Sequence, residues 1–283
     1  MNMFCLKGDR LINHYGQFCM EKVGPKCFFC SKSDFNNENQ IGRKLTSIKK
    51  TKKMQLDINL SEKIFVSSLY MKWLLIQHDV EESKCIVSPV MGEVPKQANH
   101  YSLNNNIVCL CDDLESSDLD NILLGIGGTG QHFEINIFSK KNIDIEYGKL
   151  IKSELTLCDI TFHQVFDLFN IVKYMNNSSL TIFAGMNSFD DSILGTIAMQ
   201  SSTLVLAVDT QVRREWIKDQ ENGFIFTPGQ TVEFEHLLER VLYSECDNKE
   251  YINNALKSIN INYSCSSHAI QVMDTFNSLV EIS

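Results

Sequence analysis

Residues 189–226 read FDDSILGTIAMQSSTLVLAVDTQVRREWIKDQENGFIF. Two acids, Asp190 and Asp191, stand just before the amphipathic run DSILGTIAMQ. An apolar strand, TLVLAV, follows it, then a second helical segment in REWIKDQ and a hairpin closed by Asn222-Gly223. Upstream, LTIFAG is another apolar strand, so the acids fall between a strand and a helix. In a doubly wound sheet that position is the carboxyl edge, where ligands bind.

The same alternation continues on both sides. NIVCLC, FEINIF and TLCDITF read as strands, DLDNILLGI and QVFDLFNIVKYM as helices, the latter with Val165, Leu168, Phe169 and Val172 at helical spacing. Short β-branched runs alternating with amphipathic helices predict an α/β fold with a parallel sheet covered on both faces. GIGGTG, from Gly125, follows a helix and reads as a turn rather than a phosphate cradle. The last sixty residues are helical. Nearer the amino terminus, Ile64 to Val66 form a strand leading into a helix with Leu69, Trp73 and Ile76 on one stripe, and SKCIVSP is a further strand. VMGEVPKQANHYSLNNN is a polar linker that places a domain boundary. The resulting division is 1–95, 96–262 and a closing helix, 263–283, that packs back on the amino-terminal part.

Composition narrows the function. The 283 residues carry 35 Asp+Glu against 26 Lys+Arg, a net charge of −9, which argues against a nucleic-acid binder. GRKLTSIKKTKK, residues 42–53, is the one basic run: a solvated face, or a contact with anionic lipid. No apolar stretch approaches the roughly 20 residues that span a bilayer, and MNMFCLKGDR does not read as a signal peptide. The expected place is the cytoplasm, with a peripheral position at the inner membrane face as a variant. The ten cysteines therefore read as thiols or metal ligands rather than disulfides. Cys5, Cys19, Cys27 and Cys30 lie in one irregular segment poor in apolar residues. Two readings stand for them, a tetrahedral thiolate zinc site that orders the segment and buried small hydrophobes. The histidines stand singly, on or beside helices, and read as surface or core residues.

At the carboxyl edge, LTIFAGMNSFDDSILG lets the chain turn at Gly185, and Ser188 or Asp190 caps the helix that follows. The free amides of that helix start would face an anion or sugar hydroxyls; the alternative is a cap and nothing more.

Residues 179–238 resemble the donor-binding half of retaining glycosyltransferases of family 4, which have the GT-B fold of two facing Rossmann-like domains. NSFDDSILGTIAM, STLVLAVD, REWIKDQENGFIF and PGQTVEFEHLLERVL follow the order and spacing of that family. EKIFVSSLYMKWLLIQHDVEESKCIVSPVMGE is similar to its interdomain segment, CSSHAIQVMDTFNSLVE to its closing helix, and the cysteine-bearing start to a late acceptor-domain loop of some members. The resemblance implies transfer of a sugar from a nucleotide-sugar donor, with retention, to a glycan or lipid-linked acceptor. It implies Asp190 or Asp191 against the donor sugar, with Ser188, Ser192, Ile193, Ile197, Arg213 and Glu215 around the donor. No cofactor is required for catalysis.

The chain also departs from the pattern. The family's second glutamate, which grips the nucleotide ribose, falls on Ile197 or, one residue on, Ala198. Its cationic pair after the first strand of this domain is replaced by CDDLESSDLDN, whose Asp112 and Asp113 would repel a diphosphate; Lys140, Lys141 or Arg213 are the substitutes. Much of the acceptor domain has no counterpart. The expectation is a transferase that is impaired or completed by a partner chain supplying the amino-terminal Rossmann domain. The alternative is a non-catalytic binding or partner subunit that keeps the fold.

Overall fold

The computed structural model describes residues 53, 56–89, 104–111, 118–139, 145–163, 168–185, 191–243 and 245–280. The chain divides into two compact units, 1–88 and 89–283.

In the first unit, β1 (Ile64–Val66) and β2 (Cys85–Val87) pair in parallel, joined through α1 (Leu69–Gln77). Ser68 begins that helix by accepting the Met71 amide on its hydroxyl, 3.0 Å away. The small core is Val66, Leu75, Val80 and Cys85. The expected helix stripe is corrected here: Leu74 and Leu75 are the buried residues, while Leu69 is 61% exposed. Residues 73–76 are all apolar, so periodicity could not choose the face.

The second unit is built on six parallel strands: β3 (Asn106–Cys111), β4 (Glu134–Ser139), β5 (Asp159–His163), β6 (Leu180–Phe183), β7 (Leu204–Val208) and β8 (Phe224–Phe226). Their spatial order is β5-β4-β3-β6-β7-β8, the doubly wound arrangement. The helices are α2 (Leu119–Gly128), α3 (Ile145–Glu154), α4 (Leu168–Met175), α5 (Asp191–Gln200), α6 (Thr231–Tyr243), α7 (Glu245–Asn262) and α8 (Cys265–Val280).

Side-chain alternation along the strands feeds two cores, one on each face of the sheet. Ile107, Cys109 and Cys111 of β3, with Leu204, Leu206 and Val208 of β7, join α2, α3 and α6 on one face. Val108, Leu110, Val205 and Ala207 join α4 and α5 on the other. Burial on both faces is why these strands read as unbroken apolar runs.

Four further local expectations change. REWIKDQ is not a second helix; only the 3₁₀ turn Arg213–Glu215 forms. Asn222-Gly223 closes no hairpin, because β8 pairs with β7 in parallel. Instead Asn222 ties its own loop, taking the Lys218 amide on its side-chain oxygen at 2.7 Å and donating to Trp216 O at 3.1 Å. Gly125, Gly127 and Gly128 of GIGGTG belong to the last turns of α2, and only Gly130, at φ +66°, turns the chain beyond it; a Cβ on Gly125 would lie 2.7 Å from the Phe234 ring, so this face lets α6 approach closely. On α4 the core takes Ile171 and Met175, whereas Phe169 is 87% exposed; Val165 lies outside the described residues. The outer edge of β8 is closed by Asp219, whose carboxylate accepts the Ile225 amide at 2.9 Å.

Candidate functional site

The chain leaves β3, runs outward through β4 and β5, then returns to place β6 on the other side of β3. The carboxyl ends of β3 and β6 therefore flank the crevice where crossovers diverge. Cys111 ends one strand; Phe183, Ala184 and Gly185 lead off the other.

Arg213 is the most buried large polar side chain beside this edge, 1% exposed. Its turn is set by Thr210, whose carbonyl and hydroxyl both accept the Arg213 amide, at 3.1 and 3.3 Å. Nη1 donates to Phe183 O and Val208 O, each at 3.0 Å, and Nη2 donates to Gly185 O. The guanidinium thus joins the ends of β6 and β7 and grips the residue from which the chain departs toward α5. It also brings a fixed positive charge, poorly screened by water, to the carboxyl edge.

The facing wall is held by a connection that the sequence does not reveal. Both oxygens of Asp118 accept the Gly229 amide at 3.0 Å, Asn121 Nδ2 donates to it at 2.6 Å, and the Asp118 amide donates to Ala184 O at 3.0 Å. Thr231, first residue of α6, donates to Asn121 Oδ1 at 3.0 Å. One acid of the acidic stretch is therefore occupied in joining β6, α2 and the β8–α6 loop, and Gly229 meets it with φ +77°, a conformation that favours glycine. The only cue in sequence was an aspartate before a helix and a Pro-Gly turn 111 residues later.

Of the expected site residues, Asp191 and Ser192 open α5. Ile193 is half-buried against the second core, and Ile197 (2% exposed) and Ala198 lie within it, beside Phe183 and Trp216. Glu215 is half-buried, and its carbonyl accepts the Tyr263 hydroxyl at 3.1 Å. Burial first, and the Glu215 charge second, push Tyr263 up to about 12, which keeps it a donor. Ser188, Asp190, Asp112, Asp113, Lys140, Lys141, Cys5, Cys19, Cys27 and Cys30 lie outside the described residues. Among the described residues no cluster of His, Cys, Asp or Glu is arranged to hold a metal.

His163 ends β5 shortly before α4, its ring stacks on Phe138 at 4.3 Å, and its Nε2 lies 2.9 Å from Asn136 Oδ1. Burial lowers its pKa. A groove of about 370 Å³, lined by Asp219, Phe224, Glu233, His236 and Arg240 among others, follows edge strand β8 rather than the β3–β6 crevice. No described helix is long and apolar enough to cross a membrane.

No family model matches the chain, and no curated protein matches it in sequence. Solved structures do match in fold. TarM, of S. aureus, superposes with a TM-score of 0.66 at 14% identity over 87% of this chain and 48% of its own length. Sucrose-phosphate synthase from Thermosynechococcus elongatus gives 0.64 at 14%, over 88% and 65%. HepE of Anabaena, in complex with UDP and glucose, gives 0.62 at 12%, over 80% and 67%. This chain spans about half the length of TarM and two thirds of the other two. The fold is the Rossmann-like α/β fold of GT-B glycosyltransferases.

Proposed function

We propose that this protein binds a nucleotide-sugar at the β3–β6 crevice and serves glycosyl transfer, with retention, to a glycan or lipid-linked acceptor when a partner chain supplies an amino-terminal Rossmann domain. The observation that carries the reading is the topological switch itself, with α5 starting six residues after Gly185 and the Arg213 guanidinium beneath its approach. HepE, which shares the fold, has a crystal structure in complex with UDP and glucose, which makes a uridine diphosphate sugar the first donor to try.

In such a transfer the bond between the anomeric carbon and the diphosphate oxygen breaks, and that oxygen departs with the electron pair. An acceptor hydroxyl takes its place on the same face of the sugar, and its proton passes to the departing diphosphate oxygen. Preorganised positive charge on the leaving group is usually the largest contribution. Here it would come from Arg213 and the first amides of α5, with Asp190 or Asp191 against the donor sugar. Ser188, Ser192 and Ile193 would shape the sugar side, and Glu215 the nucleotide side. Cys5, Cys19, Cys27 and Cys30 would hold a structural zinc ion. Under this reading the closing helix would pack back on the amino-terminal part.

A second reading, a binding or partner subunit without chemistry, is favoured by Ile197 and Ala198. Both are buried apolar residues, at 2% and 0% exposure, where the resemblance asks for a ribose-gripping glutamate. Calorimetry and turnover assays with uridine, guanosine and adenosine diphosphate sugars separate these. Donor binding without appreciable transfer by the lone chain, and transfer once a partner chain is added, is the expected result. Binding with no transfer in either form supports the second reading. Rapid turnover by the lone chain would refute the placement of Ile197, and no binding at all would refute the crevice as a donor site.

A further inference from the structure

The joint between α7 and α8 reaches the turn that presents Arg213. The Tyr263 amide continues the bonding of α7, donating to Ile259 O at 2.9 Å, and the Ser264 hydroxyl caps α8 by accepting the Ser267 amide at 3.0 Å. Tyr263 is thus the residue at which one helix stops before the next begins. Its ring is half-buried against the second core. Its hydroxyl donates to Glu215 O at 3.1 Å, across 48 positions of sequence.

That carbonyl ends a weak element. A 3₁₀ turn has poorer hydrogen-bond geometry than an α-helix, and Arg213–Glu215 is only three residues long. The start of the turn is well held. Thr210 O accepts the Arg213 amide, and Arg213 O accepts the Trp216 and Ile217 amides at 3.1 and 2.8 Å. The end is different. The Lys218 amide, which would carry the pattern on to Glu215 O, goes instead to Asn222 Oδ1 at 2.7 Å. The Tyr263 hydroxyl therefore answers a carbonyl that the turn itself leaves over.

We propose that Tyr263 is a positioning residue for the nucleotide diphosphate of the donor, holding the turn from which Arg213 and Glu215 serve the crevice. The inference rests on the donor site proposed above. Tyr263 acts through the backbone of Glu215: with the hydroxyl gone, that carbonyl turns toward water and the short turn loosens at its carboxyl end. Arg213 and Glu215 would then meet the ligand less well preorganised. The sugar side of the site is drawn from the start of α5, a separate element, so the effect belongs to the nucleotide and its phosphates. A second tie supplies the comparison. Asn254 of α7 donates from Nδ2 to Glu221 O at 3.1 Å, so the same helix also holds the β7–β8 connection farther along, away from the turn.

The test is calorimetry on the full chain with UDP and with UDP-glucose, alongside chemical denaturation, for the wild type, Tyr263→Phe and Asn254→Ala. Each variant loses one hydrogen bond to the same connection, and both should unfold at a slightly lower denaturant concentration. Tyr263→Phe should weaken UDP and UDP-glucose alike, by about three- to tenfold, whereas Asn254→Ala should leave both affinities unchanged. A wild type that binds while Tyr263→Phe binds equally well overturns the inference alone. Equal weakening by Asn254→Ala also overturns it, because the tie would then be general packing. Weakening confined to UDP-glucose overturns it in favour of an effect on the sugar side. A wild type that binds neither ligand refutes the crevice as a donor site, and this inference falls with it.

Discussion

The indole of Trp216 lies flat against the backbone of Gly195, so close that a methyl on that glycine would sit 2.3 Å from Cη2. This contact fixes the separation between α5 and the 3₁₀ turn that presents Arg213. Two effects compete when Gly195 becomes alanine. Removing a helix-interior glycine stabilises by about 1 kcal/mol, while forcing a methyl into a packed indole costs about 1–3 kcal/mol. Three ring atoms lie within 2.6 Å of the new carbon, so the clash dominates. Gly195→Ala should lower stability by about 1–2 kcal/mol in chemical denaturation, with a change in the tryptophan emission of the native state.

Arg213→Met should be worse, because it strips the donors from the carbonyls of Phe183, Val208 and Gly185. Leaving buried acceptors unpaired costs about 1–3 kcal/mol each before relaxation. Arg213→Lys keeps the charge but cannot reproduce the planar fork, so it should fall between the two in denaturation midpoint. Donor affinity should follow the same order in calorimetry.

His163 gives a pH signature. Burial lowers its pKa from the ordinary 6.5, so the unfolded chain binds this proton more readily than the folded one. The contribution is present in full above pH 6.5 and is lost as pH falls from there through the lowered folded value. Denaturation midpoints of the wild type should decline over that window more steeply than those of His163→Gln. Parallel slopes for the two proteins would show that the imidazole is not the group responsible.

The cysteine-rich segment is tested by metal content. Protein purified without chelator should carry about one zinc per chain, the occupancy of a closed four-thiolate site. Cys27→Ser and Cys30→Ser should each release it. A metal-free wild type would leave the thiols as packing residues.

The sheet was legible because burial on both faces writes itself into the sequence: NIVCLC, LTIF and LVLAV are strands almost residue for residue. The start of α5 at Asp191 was legible from the acids before an amphipathic run. Faces of short helices were less so. Residues 168–172 supply two overlapping apolar stripes, and only the packing of Ile171 selects one. Least legible were side chains that serve the backbone. Arg213 bonds carbonyls, and carbonyls leave no mark on residue choice. Asp118 meets the amide of Gly229, 111 positions away, and nothing local announces the pairing.

The carboxylate of Asp219 on the Ile225 amide has a bearing on how the protein behaves when crowded. A sheet border with a free central amide invites a strand from a neighbouring molecule, and repetition of that event makes fibres. β8 is only three residues long, and its central amide is already engaged from within the chain. The border is therefore sealed by a group that carries charge into the path of any newcomer. Asp219→Ala should change the midpoint of unfolding little, yet make concentrated solutions turn cloudy and bind amyloid dyes sooner. The acid protects the folded molecule from its own copies.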